Sequence, residues 1–163
     1  MIDKLKKQHE TLRALNREML QLISSDTPCD RAKLADARWR LVRTQLQHLA
    51  LEQRVIYGPL ARDSRPKVAI LAQTFIKEWE SAFVRIQEHS NYWTPERIDA
   101  EWTDYAAKAR QLIHFALDRM DREEAELYPH VVQDCALSER KPDDPNWAAN
   151  GRDMREQIQH TAG

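Results

Sequence analysis

Residues 34–57 read LADARWRLVRTQLQHLALEQRVIY. Leu34, Ala37, Leu41, Gln45, His48, Glu52 and Val55 follow one another at steps of three or four, flanked by Val42, Leu46, Leu49 and Ile56. That spacing marks one face of an α-helix from about Asp30 to Tyr57. A face so apolar turns inward. It would carry His48 and Glu52, at i and i+4, into the core on one side of the helix. Gly58-Pro59 is expected to break it.

The same periodicity recurs on either side. Ile2, Leu5, His9, Leu12, Asn16, Met19 and Ile23 form the face of a first helix, stopped by Ser24-Ser25-Asp26-Thr27-Pro28. After Pro66, the residues Val68, Ala72, Phe75, Ile76, Trp79, Phe83 and Ile86 form a third, which ends near Asn91-Tyr92-Trp93. Thr94 suits an N-cap and Pro95 the first position of a fourth helix, expected to reach about Val132. Its face is Trp102, Tyr105, Ala109, Ile113, Ala116, Met120, Glu123 and Leu127. Four amphipathic helices on short connections predict an all-α fold, an up-down-up-down antiparallel four-helix bundle over residues 1–137. Residues 138–163 read as a polar C-terminal tail with a short helix around Asp153 to Gln159.

Composition agrees. Three glycines in 163 residues are too few for a phosphate-binding loop or for the tight turns of a β-rich fold. A net charge of −1 gives no general attraction to nucleic acid or to an anionic membrane. No apolar stretch is long enough to span a bilayer, and Met1-Ile2-Asp3-Lys4-Leu5-Lys6-Lys7 does not open like a secretory leader. Cys29 and Cys135 would sit at opposite ends of the bundle and read as free thiols in a reducing cytoplasm. Neither cysteine has a histidine partner suited to nucleophilic catalysis.

Four ionisable residues interrupt the inward faces: His9, His48, Glu52 and Glu123. A buried carboxylate costs several kcal/mol unless it is paired or binds a metal. With turns near residues 26 and 95 at one end, the four span roughly 16 Å along the axis, at ~1.5 Å per residue. Two imidazoles and two carboxylates suit divalent iron, manganese or zinc. Other charged groups read as surface. His114 and Asp118 are a solvated i, i+4 pair, His89, His130 and His160 lie near helix ends or in the tail, and Arg38, Arg40 and Arg43 form a solvated basic face. Trp79 and Trp102 fit packing positions.

Three segments carry a family resemblance: Lys7-Gln8-His9-Glu10-Thr11-Leu12, His48-Leu49-Ala50-Leu51-Glu52 leading into Ile56-Tyr57-Gly58-Pro59-Leu60, and Glu123-Glu124-Ala125-Glu126-Leu127-Tyr128-Pro129. Over about residues 1–132 the chain resembles the hemerythrin-like, or HHE cation-binding, domain. The resemblance implies a four-helix bundle around two non-haem irons, and oxygen binding or iron or redox sensing. It makes His9 and His48 ligands of one iron and Glu52 and Glu123 the bridging carboxylates. Two of the family's positions depart. Arg119 stands four residues before Glu123 where a histidine is expected, and the third helix offers Ala72-Gln73-Thr74 with no histidine. Gln73 is the substitute at that level, and Arg119 brings a permanent cation into the half of the site so vacated. Its guanidinium would pair with Glu52 and Glu123.

Three readings stay open, the third an enzyme that uses the residual site for peroxide or nitric oxide chemistry. In one, a single divalent metal, iron first, zinc or manganese otherwise, sits on His9, His48, Glu52 and Glu123, with Gln73 and Arg119 lining the other half. In the second, the same residues form a metal-free salt-bridged network in a helical interaction module. No reaction follows from these residues. The partners expected are a metal ion or a small diatomic ligand, together with a protein partner or a second copy of the chain.

Overall fold

The computed structural model describes residues 1–131 and 147–159. These residues form helices and short connections, with no strand among them. Helix α1 is Ile2–Leu22, α2 is Arg31–Glu52, α3 is Pro66–Tyr92, α4 is Pro95–Ala100, α5 is Trp102–Arg122 and α6 is Trp147–Gln159. The expected domain boundary after residue 137, Cys135, and His160 all lie outside the described residues.

The inward faces are those that periodicity marks. Leu5, His9, Leu12, Asn16 and Met19 are buried on α1, and Leu34, Ala37, His48 and Glu52 on α2. Side-chain contacts fix the directions. Gln8 meets His48 while Glu18 meets Arg40, so α1 and α2 run antiparallel. His9 meets Glu124 while Arg110 reaches the carbonyl of Ile23, so α1 and α5 do too. Asp30 caps α2 by accepting from the Lys33 amide at 2.9 Å. Thr94 caps α4 with Pro95 behind it, as the sequence indicates.

Three expected boundaries are corrected. The fourth helix is not continuous from Pro95. Glu101 leaves helical geometry, and a new helix begins at Trp102, whose indole N–H donates to the Ser25 carbonyl at 2.7 Å. That bond ties the α1–α2 connection to the start of α5. Gly58-Pro59 does not break the second helix either. A π-helical turn over Gln53–Tyr57 follows α2, and Gly58–Leu60 continues it helically. The wider turn absorbs a proline that an unbroken α-helix would resist. The C-terminal helix begins at Trp147, earlier than expected, and is not merely polar. Its Met154 and Ile158 are buried, Met154 in one cluster with Leu46, Leu49 and Trp79. A methyl at Gly151 would stand 2.9 Å from Leu46 Cδ1, so this glycine permits the close approach of α6 to α2.

The core has a cluster at each end. One gathers Ile23, Leu34, Trp93, Trp102 and Tyr105, and the other Leu5, Ile56, Leu60, Phe75 and Leu127. Each fully buried Leu, Ile or Phe contributes ~1.5–3 kcal/mol of transfer free energy. The charged residues of interest sit between these clusters. No helix among the described residues is long and apolar enough to cross a membrane.

Candidate metal centre

His9, His48, Glu52 and Glu123 meet. All four are buried, and one potential ligand atom from each lies within 4.8 Å of the others. His9 Nε2 is 3.0 Å from His48 Nε2 and 3.6 Å from Glu123 Oε2, while His48 Nε2 is 3.3 Å from Glu52 Oε2.

The far side of each imidazole is engaged. His9 Nδ1 lies 2.7 Å from Glu124 Oε1, and Arg13 holds that carboxylate by donating to the same oxygen at 2.9 Å. Arg13 also donates to Asp121 at 2.6 Å. His48 Nδ1 lies 3.2 Å from Gln8 Oε1. An Nδ1–H donated to a carboxylate or amide oxygen leaves Nε2 as a lone pair. Burial, with His48 alongside, pushes His9 below its ordinary pKa against the opposing pull of Glu124, so its ring is neutral. The two Nε2 atoms face one another at 3.0 Å, close enough to share a proton or a cation.

Glu52 adds a further acceptor. Its Oε2 is buried, 3.3 Å from His48 Nε2 and with no hydrogen-bond partner of good geometry. Full burial alone would raise its carboxyl, but His48, His9 and Arg119 outweigh that and hold it below the ordinary range. Glu123 goes the other way: burial and the charge of Glu52 push it up to about 8, against Arg119 and Tyr57. Two carboxylates and one guanidinium carry one net negative charge. A proton on Glu123 or a bound cation balances it.

The donor set fits a metal. Edges of 3.0, 3.3 and 3.6 Å are close to the ~3.0–3.4 Å between neighbouring ligands around an ion at about 2.1 Å. Two imidazoles and two carboxylates suit iron, manganese or zinc, and outer partners such as Glu124 and Gln8 are what ligating histidines require.

Arg119 is where the sequence placed it but pairs differently. Its Nε lies 2.7 Å from Glu123 Oε1, an Nη donates to the Tyr57 hydroxyl, and the other Nη is 3.6 Å from Glu78. It does not contact Glu52 directly, because Tyr57 stands between α2 and the guanidinium and donates to Glu123 Oε1 at 2.5 Å. The cation lies over the rings of Phe75, Tyr57 and Trp79, 5.2, 5.6 and 5.8 Å from their centroids.

Gln73 does not join the cluster. It is exposed, and its amide donates to the Ala61 carbonyl at 3.4 Å. The inward face of α3 is Val68, Ala72, Phe75 and Trp79, and the residue after Ala72 points about 100° away. Two other surface assignments also change. Arg38 is buried, and His89 is partly buried, stacked on Tyr105 at 5.8 Å. His114 and Asp118 are both exposed, as expected.

Two tyrosines were not singled out. Tyr128 Oη is 3.1 Å from His9 Nε2 and 3.3 Å from Glu52 Oε1, and Tyr57 bonds Glu123. Burial and the neighbouring carboxylates raise both phenols, keeping them as O–H donors. Each tyrosine follows its carboxylate by five residues, in Glu52-Gln53-Arg54-Val55-Ile56-Tyr57 and Glu123-Glu124-Ala125-Glu126-Leu127-Tyr128. In an α-helix five residues turn ~500°, which leaves them about 140° apart. A π-helical turn lies between each glutamate and its tyrosine, over Gln53–Tyr57 after Glu52 and over Glu123–Leu127 before Tyr128, and brings the tyrosine back to the same face. The Glu-x4-Tyr repeat was the available signal.

No curated protein and no solved structure matches the chain. A family model described as the hemerythrin HHE cation binding domain matches residues 1–131. Helices, buried His and Glu side chains and the extent of that match agree: the chain belongs to the hemerythrin HHE cation-binding family.

Proposed function

We propose that this protein binds one divalent metal ion, iron first, through His9, His48, Glu52 and Glu123, and serves as a binding or sensing protein with half of the family's two-metal site given over to Arg119. The observation that carries this reading is the pair of imidazole nitrogens facing at 3.0 Å with both Nδ1 atoms engaged elsewhere. We read the four long helices as one up-down-up-down bundle that holds these side chains in place. A reducing cytoplasm, where ferrous iron persists, goes with this function.

In this reading His9 and His48 supply nitrogen donors, oriented by Glu124 and Gln8. Glu52 and Glu123 supply negative charge. Tyr128, beside His9 and Glu52, offers an O–H donor to a small bound molecule. Bound here, one iron would supply one-electron chemistry and a coordination position for a ligand such as dioxygen or nitric oxide. Arg119 keeps a fixed positive charge on Glu123.

The test is metal content by mass spectrometry, on protein purified without chelator and after anaerobic reconstitution with Fe(II). About one equivalent is expected. Less than about a tenth of an equivalent of any transition metal after reconstitution would overturn the reading. A second reading, a metal-free interaction module, draws on the Arg119–Glu123 pair at 2.7 Å and on a Glu123 carboxyl raised to about 8. There the proton on Glu123 balances the site, and no metal is taken up at any concentration.

A further inference from the structure

Between the metal centre and the far end of the helices lies a second, chemically opposite space. A cavity of about 120 Å³ opens among α1, α2, α3, α5 and α6. Its walls are mainly apolar, including Leu41, Val42, Phe83, Ile113, Met154 and Ile158, and among the described residues no Asp, Glu or Lys lines it.

Arg38 lines this cavity and is only 8 % exposed. Its guanidinium makes no hydrogen bond or ion pair among the described residues, and the Tyr105 ring lies 5.8 Å away. Nearby anions are committed: Asp36 and Glu18 both hold Arg40. No anion pairs with it among the described residues, and its nitrogens are not sealed from solvent, so the guanidinium is available to an incoming anion. His89 supplies no second charge. Burial and Arg38 lower it to about 4, which keeps it neutral at physiological pH. Ser90, buried on the same wall, has a hydroxyl with no hydrogen-bond partner among the described residues. Among the described residues the cavity therefore presents one positive charge without a paired anion, the Ser90 hydroxyl, the amides of Asn16 and Gln45 and an otherwise apolar body.

We propose that this cavity is a second binding site, for a small monocarboxylate whose apolar body is about the size of a benzene ring, with its carboxylate paired to Arg38. An apolar cavity of about 150 Å³ takes benzene, and this one, at about 120 Å³, is somewhat smaller, so a single ring is the upper limit of the apolar body. A guanidinium receives a carboxylate in a two-point hydrogen-bonded pair, which neither a neutral isostere nor a point anion reproduces. The site is separate from the metal centre and does not depend on metal being bound.

The test is calorimetric titration of the full chain, stripped of metal, with benzoate, benzyl alcohol and acetate as probes. Benzoate is expected to bind once per chain and at least about tenfold tighter than benzyl alcohol, which lacks the charge, or acetate, which lacks the body. Arg38→Gln should bring benzoate down to the level of benzyl alcohol while circular dichroism stays unchanged. His48→Ala should leave benzoate binding intact. Benzoate binding no tighter than benzyl alcohol overturns the proposal without any variant. So does a folded Arg38→Gln protein that still prefers benzoate, or loss of binding in His48→Ala, which would move the carboxylate to the metal centre.

Discussion

Two stretches of this chain share a three-residue pattern and differ in its first member. His48-x3-Glu52-x4-Tyr57 and Arg119-x3-Glu123-x4-Tyr128 each place a basic residue one turn before a buried glutamate and a tyrosine five residues beyond it, Tyr57 at the end of a π-helical turn and Tyr128 just after one. The tyrosines cross over: Tyr57 bonds Glu123, and Tyr128 reaches Glu52. Only the first basic residue can be a metal ligand. In the His48 half, imidazole leaves the carboxylate with an oxygen that has no hydrogen-bond partner of good geometry. In the Arg119 half, the guanidinium fills the space and supplies the charge itself. One side chain at i−4 decides whether a buried glutamate looks for a cation or already has one.

The strongest way to break the comparison is to delete a carboxylate from either half. Glu52→Ala should abolish stoichiometric iron uptake, a loss of at least about a hundredfold in affinity, because it removes a ligand whose charge has no substitute. Glu123→Ala should lose less, since Arg119 already neutralises part of that group. Equal losses in metal titrations would show that the halves do not differ. Arg119→His should restore symmetry and raise iron uptake from about one equivalent toward two. Adding Gln73→His should bring no further gain, because residue 73 faces solvent. A gain in the double variant alone would place α3 in another register.

Stability measurements sharpen the contrast. Arg119→Met leaves Glu123 buried without its partner and should cost the metal-free protein about 3 kcal/mol in urea unfolding. Tyr57→Phe removes a hydrogen bond to a carboxylate and should cost about 1.5–3 kcal/mol, whereas Tyr128→Phe, with contacts of 3.1 and 3.3 Å, should cost about 1 kcal/mol. The order Tyr57 above Tyr128 is the informative outcome. Its reversal would mean that Tyr128, not Tyr57, anchors the two halves.

Helix faces were legible in the sequence because burial imposes a period on them, and His9, His48, Glu52 and Glu123 fell on those faces. Arg119 was legible as a position but not in its bonding, since nothing in spacing shows that Tyr57 would stand between it and Glu52. Gln73 was misplaced by counting residues from a turn. A helix's phase is set by its own buried side chains, here Ala72 and Phe75. The π-helical turns leave no mark in hydrophobic period, so the tyrosines looked about 140° out of place. Arg38 shares its stretch with two other arginines, and only packing singles it out. The break at Glu101 depends on a hydrogen bond from Trp102 to a residue far away in the chain.

Arg119 also sets what can vary over time. A metal ion can dissociate, be exchanged for another or change its oxidation state, and each event alters the charge its ligands feel. A guanidinium does none of these at any physiological pH. Glu123 therefore faces a constant charge on one side, whatever happens on the side of His9 and His48. Any change of valence in this core would be felt as a single step against a fixed background.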